Sequence, residues 1–332
     1  MNASHAMNLL VTGGAGYIGS HVVRQLGEAG HRVVVLDDLS TGRREAVLQG
    51  ELAVGSLGDV AFLDRVFREG AFDAVLHFAA SIVVPDSVAQ PLAYYENNLV
   101  NTLRLLQACA AHGVHRLVYS SSAAVYGQPD RATVSEDDPL APISPYGWTK
   151  AMGERLILDQ AAATPLRAAM LRYFNVAGAD PQGRLGQSSP RATHLIKLAC
   201  QAALGLREGL ELFGTDYATP DGTCVRDYIH VEDLASAHVH ALEHLLQGGG
   251  TLTLNVGYGR GASVREVVDT VKRVSGVDFP VKESPRRPGD PPFLVADNRR
   301  ILATLPWRPA HDGLEGIVAD ALRWERRLGS PG

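Results

Sequence analysis

MNLLVTGGAGYIGSHVVRQLGEAGH, residues 7–31, passes from a short apolar run through a glycine cluster into apolar residues at helical spacing, and closes at Gly30. This order reads as strand, glycine loop, helix. Gly14, Gly16 and Gly19 satisfy G-x-G-x-x-G, and Gly13, Gly16 and Gly19 satisfy G-x-x-G-x-x-G. Either lets backbone approach a pyrophosphate at a helix N-terminus, where N–H groups lack partners. The glycines alone would suit any flexible loop, but the next strand, RVVVLDD, ends in Asp37 and Asp38. That is the distance at which a carboxylate meets an adenosine ribose. A carboxylate accepts from a free ribose diol and repels a 2′-phosphate, so NAD is favoured over NADP. Arg43 and Arg44 follow, and a solvated pair is a simpler reading of them than a phosphate grip.

The alternation continues outward with helix DVAFLDRVFREG, strand FDAVLHFAA, helix PLAYYENNLVNTLRLLQACAAHG, strand VHRLVYSSS, helix YGWTKAMGERLILDQAAA and strand PLRAAMLRYFN. Strands and helices taking turns predict an α/β fold, a Rossmann-type doubly wound parallel sheet. Such sheets bind ligands beyond the carboxyl ends of their strands. Phe78, Ala79 and Ala80, the serines 120–122, and Phe174 with Asn175 are therefore expected around one crevice. His77 closes an apolar run and reads as a structural histidine.

One segment carries reactive chemistry. On a helix, Tyr146 and Lys150 share a face at i, i+4, and Ser120, Ser121 and Ser122 reach the same place from a strand end. An ordinary phenol is ionised in about one molecule in a thousand at pH 7, and a neighbouring cation favours the phenolate. The trio suits proton transfer to or from an alcohol.

After Asn175, VAGADPQGRLGQSSPRATH is rich in Gly, Pro and Ser, which places a domain boundary at 176/177. Residues 7–176 are read as the dinucleotide-binding domain. Residues 177–332 form a smaller mixed α/β domain, part of which packs back on the first: helix HLIKLACQAALG, strand LELFG, a helix from Val231, strand TLTLNV, helix SVREVVDTVKRVSG and a helical C-terminus. His240 and His244 have metal-ligand spacing, but no HExxH pattern accompanies them, so a solvated helix face is expected.

The chain has 332 residues, 45% hydrophobic and 20% charged, with a net charge of −5, which argues against broad nucleic-acid or membrane affinity. Cys109, Cys200 and Cys224 match no disulfide or metal pattern and fit a reducing cytoplasm. No apolar run approaches membrane-spanning length, and the N-terminus lacks a secretory pattern. Residues 1–6 read as a cloning remnant, with Met7 as the natural start.

TGGAGYIGSH, DDLSTG, HFAA, YYENNLVNTLRLL, YSSSAAVYG, SPYGWTK, LRYFNVAGAD, FGTDYATPDGTCVRDYIHVEDLA and PRRPGD together resemble the extended short-chain dehydrogenase/reductase family over nearly the whole chain from Met7. The later blocks belong to its nucleotide-sugar branch. The resemblance implies that Gly13, Gly16, Tyr17, Ile18, Gly19, Asp37, Asp38, Ser56, Leu57, Phe78, Ala79, Ala80, Asn97, Ser120, Tyr146, Lys150 and Phe174 face NAD. It implies catalysis by Ser122, Tyr146 and Lys150. It assigns Ser122, Tyr146, Asn175, His194, Leu195, Leu212, Phe213, Arg226, Arg287, Asp290 and Phe293 to a UDP-hexose, with the arginines near the diphosphate and Asp290 near the uridine ribose. It further implies a homodimer through the helices around Leu105 and Tyr146, whose apolar residues would equally suit an internal core.

Two departures stand out. Ser56 replaces an aspartate that many relatives set against the adenine, and Ile82 lies in SIVVPDS where some carry a lysine. Weaker adenine contact is expected, with backbone amides compensating for the lysine.

The implied reaction is reversible inversion at carbon 4 of the hexose in UDP-galactose and UDP-glucose, through a transient 4-keto sugar. Another UDP-sugar, an N-acetylhexosamine, pentose or uronic acid, is the nearest alternative. A dehydratase would need a further acid and base, and Ala123 and Ala124 stand where an Asp-Glu pair is expected. A catalytically silent NAD sensor is disfavoured by intact Ser122, Tyr146 and Lys150. Phe293 is expected to bound the sugar's 2-substituent unless it turns into the core.

Overall fold

The computed structural model describes residues 6–189, 192–287 and 289–329. Residues 1–5 of the excluded N-terminal stretch, Pro190 and Arg191 of the loop after Asn175, Pro288 of PRRPGD and residues 330–332 lie outside the described residues.

Along the chain run β1 (Asn8–Thr12), α1 (Tyr17–Glu28), β2 (Arg32–Asp37), β3 (Glu51–Val54), α2 (Val60–Gly70), β4 (Ala74–His77), α3 (Val84–Ala89), α4 (Pro91–Tyr94), a π-helical turn (Tyr95–Val100), α5 (Asn101–Ala111) and β5 (Arg116–Ser120). There follow β6 (Thr133–Val134), α6 (Pro145–Ala163), β7 (Arg167–Tyr173), β8 (Asn175–Ala177), α7 (Leu195–Ala203), β9 (Leu210–Phe213), β10 (Val225–His230), α8 (Val231–Leu246) and β11 (Leu252–Val256). The chain closes with β12 (Gly261–Ser263), α9 (Val264–Ser275), β13 (Val281–Ser284), β14 (Phe293–Ala296), α10 (Arg299–Thr304) and α11 (Leu314–Gly329).

The chain divides into two compact units. The first comprises Met1–Val125, Ser144–Arg172 and Ala235–Leu254; the second Tyr126–Ile143, Tyr173–Leu234 and Asn255–Gly332. A single cut at 176/177 does not describe this division, because both units are discontinuous. The physical reason is the sheet: β11, late in sequence, takes the edge beside β7 in the order β11-β7-β5-β4-β1-β2-β3.

Pairing from β7 through β3 is parallel, with Leu10 opposite Val34, Val11 opposite Leu76 and Leu76 opposite Val118. The central strands are buried on both faces and so appear in the sequence as unbroken apolar runs. Edge strand β3 is only partly buried. Leu63 and Phe67 of α2, Leu105 of α5 and Ile157 of α6 close over Leu36, Val75 and Leu117. Truncating Phe67 to alanine there would cost about 3–5 kcal/mol.

In the second unit the sheet order is β12-β10-β14-β6, with β8 also on β10 and β9 beside β13. Its core joins Ile196 of α7, Val267 and Val271 of α9, and Ile317 and Val318 of α11. The expected unbroken helix over residues 91–113 is instead α4, the π-turn and α5. Within this turn the Asn98 amide bonds outward, to Ser81 and Thr149.

Candidate active site

Gly13 has φ +72°, and a Cβ there would lie 2.5 Å from Ala79 N; a Cβ on Gly19 would lie 2.3 Å from Gly13 O. Only glycine lets the loop, α1 and the end of β4 approach this closely. Gly16 caps α1 without a side-chain bond, and no acid occupies the first turn. The helix therefore presents N–H groups and no opposing charge to an anion. This cradle fits the pyrophosphate of a dinucleotide.

Asp37 is buried and accepts from Ala15 N at 3.0 Å and Leu39 N at 2.9 Å. Burial pushes its carboxyl up, against those two hydrogen bonds. Asp37 thus braces the glycine loop before any ligand binds, with lone pairs left for a ribose. Asp38 is exposed and accepts from Ser40 N and Oγ in a tight turn. Ser56 Oγ accepts from Gly58 N at 3.0 Å. The Leu57 side chain lies in the hydrophobic core, so only its backbone remains for a cofactor. Phe78 N donates to Thr12 O at 2.9 Å, continuing the strand ladder to the cradle, and its ring meets His238 at 4.7 Å. Tyr17 packs edge-on to His21, and Ile18 beside it is half-buried.

Beside these, Ser144 caps α6 by accepting from Gly147 N at 3.1 Å, with Pro145 at the first helical position. The cap fixes where Tyr146 and Lys150 leave the helix; both are buried. Ser122 stands near enough to the Tyr146 phenol to favour its ionised form. The Lys150 Nζ donates to Ser120 O at 2.7 Å and lies 5.1 Å from the Tyr119 ring. Burial pushes the Tyr146 phenol above its ordinary range, with Ser122 opposing the rise and Tyr94 adding to it. Burial lowers the Lys150 ammonium to about 8, with Glu154 opposing. The expected Lys150-driven depression of Tyr146 is therefore absent from the chain alone: desolvation wins, and the ammonium's hydrogen bond goes to a carbonyl.

Several residues here carry no sequence pattern of their own. Asn98 accepts from Ser81 N at 2.8 Å and donates to Ser81 O at 2.9 Å and Thr149 Oγ1 at 3.1 Å. Thr149 Oγ1 donates to Tyr146 O. Asn97 donates to Ser81 Oγ at 2.9 Å. Two adjacent asparagines at a π-turn were the available signal, since such turns gather at functional sites. His77 is structural, held between Thr12 Oγ1 at 2.7 Å and Thr102 Oγ1 at 2.9 Å.

In the second unit Arg226 lies near Asp290, Nη2 to Oδ1 3.2 Å, and donates from Nη1 to Val225 O at 2.8 Å. The Arg287 guanidinium stacks 3.8 Å over the Phe213 ring. Phe293 opens β14 opposite Val225 of β10 and is half-buried, outside the main core cluster. Asn175 opens β8 opposite Tyr228, preceded by buried Phe174. His194 caps α7, with Nδ1 buried and without a partner among the described residues. Leu195 packs on the core and Leu212 is buried, so their side chains are internal. Arg286, which lay outside the sequence assignment, stacks on Tyr217 at 4.2 Å and pairs with Asp216.

His240 and His244 each have a partner of their own, Glu243 and Gly250 O. Among the described residues, the one group bringing three ligand atoms together is His230, His311 and Asp320. There both His230 nitrogens are engaged, by Glu232 N and Asp320. A cavity of about 510 Å³ in the second unit contains none of the assigned residues. Its charged walls pair among themselves, Arg131 with Asp138 and Arg299 with Asp297.

The model of the NAD dependent epimerase/dehydratase family matches residues 9–257. A UDP-glucose 4-epimerase from Azospirillum brasilense is 60% identical, over 96% of this chain and 92% of its own. The crystal structure of UDP-glucose 4-epimerase from Brucella ovis with NAD superposes with a TM-score of 0.94 at 45% identity, over 98% of this chain and 99% of that one. That of UDP-glucose-4-epimerase from Stenotrophomonas maltophila, with NAD and formylated UDP-arabinopyranose bound, has a TM-score of 0.93 at 39% identity, over 97% and 98%.

Proposed function

The chain belongs to the NAD dependent epimerase/dehydratase family, and we propose that it interconverts UDP-galactose and UDP-glucose by inverting carbon 4 on a tightly bound NAD. The observation that carries this is the buried Tyr146 with Ser122 acting on its phenol, with Lys150 one turn on and the pyrophosphate cradle in the same unit. The names of the relatives, and the NAD in their structures, point the same way.

When bound, NAD supplies reversible hydride acceptance and a positive ring. The glycine loop and the first turn of α1 hold its pyrophosphate, Asp37 its ribose, and the backbone of residues 78–80 the far half. Tyr146 takes the proton of the sugar 4-hydroxyl, sharing it with Ser122, and returns a proton after the 4-keto sugar has turned. Falling three units below its ordinary value takes a phenol roughly 4 kcal/mol of differential stabilisation, and one first raised by burial needs more. Lys150 contributes part of this as an ammonium held by Ser120 O. Arg226, Arg287 and Asp290 grip the UDP portion; guanidinium forks suit its diphosphate. Binding energy concentrated on the nucleotide leaves the hexose free to rotate. Elimination lacks its acid and base, since Ala123 and Ala124 follow Ser122.

The protein acts as a homodimer. Support comes from Leu92 on α4, Leu103 on α5, and Trp148, Met152 and Leu158 on α6, all large, apolar and exposed. It works in the cytoplasm, consistent with its three buried, unpaired cysteines.

Incubation of the purified protein with UDP-galactose and no added reductant tests the reaction. UDP-glucose is expected, with NAD retained. Unchanged sugar, or stoichiometric consumption of added NAD, would refute it.

A further inference from the structure

The three consecutive serines at the end of β5 engage three successive positions on one face of α6. Ser122 acts on the Tyr146 phenol, Ser120 O accepts from Lys150, and Ser121 Oγ donates to Glu154 Oε1 at 2.5 Å. Tyr146, Lys150 and Glu154 stand at i, i+4 and i+8 on α6, so Glu154 is the next group below the lysine. Glu154 is 1% exposed. From neighbouring β7, Arg172 Nε approaches both carboxylate oxygens at 2.9 and 3.2 Å, and Nη2 donates to Oε2 at 2.6 Å. Arg172 is itself buried, at 5%. An ion pair this deep contributes little net stability, since desolvation offsets the attraction. Apolar side chains of similar size would fill the space as well.

We propose that Glu154, oriented by Ser121 and Arg172 one helical turn beyond Lys150, is a positioning residue of the proton-transfer site, a buried carboxylate that acts on the Lys150 ammonium behind Tyr146. This rests on the proposed epimerase reading for its purpose, though not for its geometry. The other groups facing Lys150 cannot do this work. Tyr119 offers a ring and Ser120 a carbonyl from β5. On β4, His77 is held neutral by burial at about 3. Glu154 raises the lysine against its desolvation. The neighbouring guanidinium limits how strongly the carboxylate acts.

The test follows the protonation of Lys150 directly. Lysine labelled with carbon-13 at Cε is titrated by NMR, with only Lys150, Lys197, Lys272 and Lys282 in the sequence to resolve and Lys150→Met for assignment. Glu154→Gln should lower the Lys150 midpoint by roughly one unit, the low end of a single-charge effect. Arg172→Gln should raise it. The double variant, which removes both charges, should return it near the natural value. The alkaline limb of the kcat/KM profile should move in the same order. A merely structural role would move stability without this alternation of sign. The proposal is overturned if Glu154→Gln folds with an unmoved midpoint, if both single variants shift it the same way, or if the double variant stays displaced. Should one single variant not fold, the other and the double carry the test. The titration needs no substrate, so failure to convert UDP-galactose would count against the proposed reaction and leave this result standing.

Discussion

Tyr146 and His77 are both buried, and burial moves their pKa values in opposite directions while favouring the neutral form of each. It disfavours the phenolate of Tyr146 and favours the neutral imidazole of His77. The i, i+4 spacing of Tyr146 and Lys150 predicts their shared face, but not the sign of the tyrosine's shift, because desolvation depends on every element packed around it. Tyr146→Phe should keep the fold and lose most turnover, about a hundredfold or more for a general base; near-normal rates would remove it from the mechanism. Lys150→Met should move the acid limb of the rate profile to higher pH, since the phenolate loses its cation. For His77 the linkage runs the other way. The unfolded ring takes a proton near its ordinary 6.5, the folded one only at about 3. The neutral ring's contribution is therefore complete above pH 6.5 and is lost as acid is added, roughly 3–5 kcal/mol at the limit. Urea midpoints of His77→Gln should fall less steeply between pH 6.5 and about 4 than those of the natural protein; parallel slopes would contradict this. Phe293 sets a specificity prediction. If it bounds the sugar's 2-substituent, an acetamido group meets strain of about 1–3 kcal/mol. UDP-galactose should then outpace UDP-N-acetylgalactosamine tenfold or more, and Phe293→Cys should narrow that ratio; equal turnover by the natural protein would remove the residue from this role.

Elements differ in how plainly the chain announces them. The long strands and helices follow from apolar runs and helical spacing, and the glycine loop from its place between β1 and α1. β6, β8 and β12 have two or three residues each and exist because a neighbour pairs with them; no local pattern predicts them. The π-turn is hidden for a related reason, since it depends on where the Asn98 amide finds Ser81 and Thr149. Asn98→Ala would leave the Ser81 N–H and carbonyl without these bonds, at about 1–3 kcal/mol. A fall in thermal midpoint with an unmoved pH profile is the expected result. In the glycine loop, Gly19→Ala must push against Gly13 O at 2.3 Å. Bound NAD, measured after release by denaturation, should fall at least tenfold in a protein that still folds. Full retention would show that the loop yields where the distances say it cannot.

For the molecule as a whole, the apolar residues on α4, α5 and α6 motivate one association test. Met152→Glu places a charge one turn from Trp148, on the same exposed face. Sedimentation is expected to show two chains for the natural protein and one for the variant; a single-chain mass for the natural protein would refute the dimer, and a variant that still pairs would locate the contact elsewhere. The class of fold is legible because alternating strands and helices constrain it. The discontinuous division of the chain is not, since no composition shift marks residues 235–254 as belonging with the first 125. That return has a consequence for how the protein is made. A ribosome that has released residues 1–172 has supplied β7 but not its outer neighbour β11. Some eighty residues, about sixty of them belonging to the other unit, must be translated before that strand emerges, and meanwhile β7 is an open edge able to pair with another nascent chain. Messages truncated just short of β11 should therefore yield insoluble protein, and slow translation through the intervening stretch should increase the demand for chaperones.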